Sequence, residues 1–95
     1  SKQGSVILVV LLNKQKKMVA GPEIISRGFV YVKNSGELYD EIKEAVRHKF
    51  HSLNLDPHSP SYFSDLRNQL KRLVSEHIFA KTEKDPMIIP VVVQV

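Results

Sequence analysis

The run Val6-Ile7-Leu8-Val9-Val10-Leu11-Leu12 constrains this chain more than any other stretch. Its seven apolar residues do not alternate with polar ones, are rich in β-branched types, and are too few to span a bilayer. They read as a β-strand over 4–12 that is buried on both faces. Such a strand belongs inside a sheet, and the other elements must be arranged around it. Asn13-Lys14-Gln15-Lys16-Lys17 is polar and reads as a hairpin turn. The return strand, over 17–32, is interrupted by Gly21-Pro22 and resumes from Phe29 to Val32. Pro22 has no N–H to give, so this strand suits a sheet edge or carries a bulge.

Helical periodicity comes next. Leu38, Ile42, Ala45, Val46, Phe50 and Leu53 recur at helical spacing and predict a helix over 35–53. Asn34 with Glu37 three positions later has the form of a capping arrangement. Pro57 breaks the loop after it, and Ser59-Pro60 reads as a second start with proline at the first helical position. Phe63, Leu66, Leu70, Leu73, Val74 and Ile78 mark the apolar face of a helix over 60–81. Pro86 stops it, and 87–95 forms a third strand that contains Pro90.

The order is strand, strand, helix, helix, strand. Strands two and three each contain a proline and strand one has none, which places strand one in the centre. The expected fold is a two-layer α/β (α+β) sandwich. Its three-stranded mixed sheet has order 2-1-3, and both helices lie on one face. Two helices cover only one face of such a sheet. Strand one points Val6, Leu8, Val10 and Leu12 to one side and Ile7, Val9 and Leu11 to the other. One apolar set, completed from strand three, is left for a partner: Ile7, Val9, Leu11, Val91 and Val93, or the opposite set. The alternative is that loops or helix ends fold over it. Strand three, apolar and at an edge, is also a candidate for pairing with another chain.

The remaining residues offer little chemistry. A length of 95 residues fits a single domain with a thin core. Hydrophobic residues at 42% and charged residues at 25% describe a globular chain rather than a disordered one. With no cysteine, disulfides and thiolate metal sites are excluded. Ser1-Lys2-Gln3 does not open a signal peptide, and the start without Met suggests an excised piece. The net charge of +4 permits contact with RNA without requiring it. His48 and His51 share a helical face, but no carboxylate motif accompanies them, so solvated histidines are expected here and at His58 and His77. Gly28 suits a bulge or a close backbone approach, with Arg27 pairing a carboxylate or else touching RNA or a neighbouring domain. Lys43 and Arg47, then Arg67 and Lys71, are like charges four apart, which mildly disfavours a helix and leaves room for an RNA or interdomain contact. Lys14, Lys16 and Lys17 crowd one hairpin. Tyr31, Tyr39 and Tyr62 form no evident stacking platform.

One stretch is distinctive: Gly21-Pro22-Glu23-Ile24-Ile25-Ser26-Arg27-Gly28-Phe29-Val30-Tyr31-Val32. It resembles the C-terminal domain of the ribonuclease J family, where a G-P-[DE]-I-I-S-R-G-F-V-Y-V segment precedes a helix. Lys81-Thr82 and Pro86-Met87-Ile88-Ile89-Pro90-Val91 resemble the way that family ends, and the likeness runs from about Gly4 to Val95. The resemblance implies a C-terminal accessory domain over 1–95 with no catalytic centre of its own. The parent it implies is a cytoplasmic, zinc-dependent ribonuclease (hydrolase) of RNA processing and decay, a 5′-to-3′ exonuclease and endonuclease. The zinc belongs to a metallo-β-lactamase centre built on an H-x-H-x-D-H run, which this chain lacks, so no cofactor is expected here. The domain's implied work is oligomer assembly, as a homodimer or with a paralogous subunit, with RNA met through the parent enzyme and no membrane. The rival roles are an RNA-binding module and an intramolecular clamp on the catalytic domains. Relatives tend to carry Gly or Asn followed by basic residues where this chain has Glu83-Lys84-Asp85. That departure implies a divergent paralogue, including one whose own catalytic centre has degenerated.

Overall fold

The structure, a computed structural model, describes residues 2–29 and 35–95. In chain order the elements are β1 (Ser5–Leu12), β2 (Met18–Arg27), α1 (Ser35–His51), α2 (Tyr62–Thr82) and β3 (Met87–Gln94). They build a mixed sheet in the order β2-β1-β3, antiparallel between β1 and β2 and parallel between β1 and β3. The two proline-bearing strands take the edges, where a missing N–H costs no ladder bond.

β1 alternates along its length. Val6, Leu8, Val10 and Leu12 are fully buried, while Ile7, Val9 and Leu11 are half-buried. Both helices pack on the first set. α1 contributes Leu38, Ile42 and Val46 to this core, and α2 contributes Tyr62, Leu66, Leu70, Val74 and Ile78. The four-residue spacing along α2 keeps one row of side chains over the sheet. Phe29 and Ile88 complete the core. The expectation that β1 is buried on both faces is therefore corrected: the helices bury one face deeply, and cross-strand neighbours only half-cover the other.

β2 does not break at Gly21-Pro22. It runs on through a bulge, where the pairing shifts between Val9↔Glu23 and Leu11↔Ala20. Gly21 takes φ +88, and a Cβ there would lie 2.7 Å from the Val9 carbonyl oxygen. The extra residue turns Pro22 into the core, where it is fully buried. The strand ends at Arg27, and Phe29 lies outside it with its ring in the core, so the strand does not resume at Phe29 as expected. Val30 to Val32 and the proposed Asn34 cap lie outside the described residues. Two glycines make the end of β2 possible. Gly28 has φ +70, and a Cβ on Gly4 (φ +87) would meet the Gly28 carbonyl carbon at 2.3 Å.

α2 begins two residues later than proline chemistry suggests. Ser59, Pro60 and Ser61 form a turn, and Ser61 is the N-cap, its carbonyl accepting from Asp65 N–H at 2.8 Å. α2 ends on Glu83 in the left-handed conformation (φ 58), with its N–H donating to the Phe79 carbonyl at 2.9 Å. That geometry favours Gly or Asn, so Glu83 holds backbone strain at the end of the helix.

Two mutations test these points. Glu83→Gly relieves the left-handed strain and raises unfolding free energy by about 0.5–1 kcal/mol in a urea titration. Gly4→Ala lowers it by about 2 kcal/mol or more. Gly36→Ala, with nothing within 4 Å of its Cβ, serves as the silent comparison.

Candidate assembly interface

The uncovered sheet face is set by strand register. Residues opposite one another point to the same side. Ile7 lies between Ile25 on β2 and Ile89 on β3. Val9 lies between Glu23 and Val91, and Leu11 between Ala20 and Val93. The face therefore carries an isoleucine row of three strands and a valine-rich flank along β3. Ile25 is 50% exposed, Met87 48%, Val93 43% and Ile89 37%. Ile7, Val9, Leu11 and Val91 are half-buried by these neighbours.

All five apolar residues anticipated for this face, Ile7, Val9, Leu11, Val91 and Val93, lie on it together. Ile89 and Met87 share the parity of Val91 and Val93, so alternation along strand three was enough to find them. Ile25 was hidden, because its register depends on the bulge at Gly21-Pro22. Glu23 and Arg27 flank Ile25 on the same side of β2, so charge bounds the patch along that edge.

Of the basic residues singled out on the helices, Arg47 lines a pocket with Lys16 and Lys17 of the hairpin turn. Lys43 reaches Glu23 on β2 at 3.9 Å. Arg47 pairs with Glu44 at 3.0 Å along α1. Both pairs are solvent-exposed and contribute little. Arg67 and Lys71 each follow a buried leucine of α2. The pocket between the end of α1 and α2 is lined on the α2 side by Asp65, Asn68, Gln69, Arg72, Leu73, Glu76 and His77. Arg27 is exposed, and among the described residues no carboxylate pairs with it, contrary to the first of its two expected roles.

Histidines are dispersed. His48 and His51 are exposed near the end of α1. Among the described residues, no three His, Asp or Glu side chains gather to hold a metal ion. No helix among them is long and apolar enough to cross a membrane.

Tyr62 was missed as a core residue because it opens its helix. It is 5% exposed and meets Phe63 edge to face, ring centroids 5.3 Å apart. Lys16 Nζ sits 5.7 Å from the centroid of each ring, within cation–π range. Desolvation raises the phenol pKa above its ordinary 10.0.

The whole sequence, residues 1–95, matches the family described as Ribonuclease J C-terminal domain. The chain belongs to this family. Ribonuclease J2 of Bacillus subtilis (strain 168) is 39% identical over 98 residues, covering 100% of this chain and 17% of that protein. The Ribonuclease J 2 proteins of Staphylococcus epidermidis and Staphylococcus aureus are 38% and 36% identical over 96 residues, again covering 100% of this chain and 17% of each relative. The chain thus spans about a sixth of the length of these curated relatives. In this chain Gly21-Pro22 is the bulge, Gly28 the strand exit, and Pro86 the break before β3.

The Tyr62 environment predicts a pH dependence. A folded-state pKa above the unfolded one gives stability that is complete below pH 10 and is lost as pH rises through the raised value. Absorbance titration of the phenols should show one tyrosine ionising above the usual range, and Tyr62→Phe should remove it.

Proposed function

We propose that this chain is a non-catalytic accessory domain whose open sheet face assembles a ribonuclease J-like enzyme. The observation that carries the reading is the apolar face itself. Ile7, Val9, Leu11, Ile25, Ile89, Val91 and Val93 adjoin one another across three strands, and the helices lie on the other side. A contiguous apolar patch of this kind is a contact surface in water. Its burial drives association at roughly 25 cal/mol per Å². The partner is a second copy, or the corresponding domain of a paralogous subunit.

The parent is a zinc-dependent hydrolase of the cytoplasm that processes and degrades RNA, as a 5′-to-3′ exonuclease and endonuclease. The names of the relatives support the ribonuclease part of this reading. Zinc, in this reading, is held by the portion of the parent outside the matched sixth. The described residues here offer it no ligand set, and RNA is met through the parent. Against an RNA-binding role for this domain alone stands the pairing of Lys43 with Glu23 and of Arg47 with Glu44, which offsets part of the charge available to phosphates.

Sedimentation equilibrium of the 95-residue chain tests the assembly reading. A concentration-dependent dimer is expected, and Ile89→Lys or Val93→Lys, both at exposed positions, should weaken it by about tenfold or more. A monomer at every concentration would sink self-association and leave the face to the parent's other domains, as a clamp. RNA affinity that falls steeply with salt and is lost with Arg27→Ala, Arg67→Ala or Lys71→Ala would favour the RNA-binding module instead.

A further inference from the structure

A second surface lies beside the β1–β2 turn. The β1–β2 turn, the last turn of α1 and the start of α2 enclose a cavity of about 540 Å³, a size that takes a small ligand or a few peptide side chains. Its floor is apolar, formed by Met18, Phe50, Leu53 and Tyr62. Its rim carries Lys16 and Lys17 from the turn and Arg47 and His51 from α1. Among the described residues, no Asp or Glu lines it.

The basic side of the rim is held in place before any ligand arrives. Asn13 Oδ1 accepts from both Gln15 N–H and Lys17 N–H at 3.0 Å. Asn13 N–H donates to the Lys17 carbonyl, and Lys16 N–H to the Asn13 carbonyl, each at 2.9 Å. This turn holds Lys16 at φ 61 and directs its ammonium over the Tyr62 and Phe63 rings. A charge fixed in this way loses little entropy on binding. The α1–α2 connection, which gives Leu53, Leu55 and Pro57 to the lining, has bonds of its own. Asp56 Oδ1 accepts from His58 N–H at 2.9 Å, and Ser52 N–H donates to the Lys49 carbonyl at 3.0 Å. Arg47 shares its guanidinium with Glu44, which leaves further N–H donors on the fork.

Apolar side chains lining a cavity together with Lys16, Lys17 and Arg47, and with no acid among them, call for an apolar group accompanied by negative charge. We infer that this cavity docks a short acidic segment of a partner protein. One apolar side chain sits on Phe50 and Leu53, and the carboxylates beside it meet Lys16, Lys17 and Arg47. A nucleic acid fits less well. Stacking needs exposed ring faces, whereas Tyr62 is 5% exposed and the Lys16 ammonium lies over both rings. The site is separate from the open sheet face and does not depend on assembly through it.

The test is a ¹⁵N NMR titration of the whole chain with the capped peptide Asp-Glu-Leu-Leu-Glu-Asp. Controls are the same peptide with serines in place of its leucines, one with lysines in place of its acids, and a short oligouridylate. The expected result is amide shifts confined to Lys16, Lys17, His51, Leu53 and Tyr62, with a Kd below about 1 mM. Lys16→Glu should weaken binding by about tenfold. Lys17→Glu serves the same purpose if the first variant loses its folded spectrum. No shifts at about 1 mM peptide, shifts elsewhere, equal binding of the serine peptide, or preference for oligouridylate would each overturn the inference.

Discussion

The pairing of β1 on both of its edges is the constraint on which this fold depends. Its ladder to β3 runs in unbroken register from Ser5↔Met87 to Leu12↔Gln94. Its ladder to β2 holds from Ser5↔Arg27 to Val9↔Glu23 before the bulge. Each bonded edge removes polar backbone from water, and the sheet then presents Val6, Leu8, Val10 and Leu12 as one row for the helices to cover. Without a central strand free of proline, neither edge strand would have a partner, and the amphipathic helices would have no surface to bury.

Both helices of the described residues pack on one face of the sheet. The uncovered side then inherits the alternate residues of the most apolar strand in the sequence. The pairing of apolar β3 beside β1 compounds this, because Ile89, Val91 and Val93 line up with Ile7, Val9 and Leu11. The described residues thus leave an apolar surface exposed. Charge stays at the rim, where Glu23 and Arg27 bracket Ile25, and so leaves the middle of the face free for packing.

Much of this was legible in the sequence. The seven-residue apolar run identified the central strand, and Pro22 and Pro90 identified the edges. Period-four leucines identified α2. Other features were hidden for definite reasons. At Gly21-Pro22 the sequence offers an edge position or a bulge, and the strand has both; which residues face each other across it is set only by pairing with β1. Pro60 reads as a first helical residue, but Ser61 takes the cap. Tyr62 sits at a helix start, where periodicity has no preceding turn to reveal which way it faces. The left-handed Glu83 is invisible in composition, because Glu is an ordinary helix former.

By itself the sequence determined the elements, the order β2-β1-β3 and the existence of two apolar faces on β1, because period, proline placement and strand parity are local properties of the chain. Only the tertiary structure decided which face the helices took, that Ile25 and Ile89 join Ile7 in one row, and that Lys16 lies over Tyr62 and Phe63. Those outcomes depend on register across a bulge and on the docking of α2 beside the hairpin turn. Both are contacts between residues far apart in the chain, whose partners no local pattern specifies.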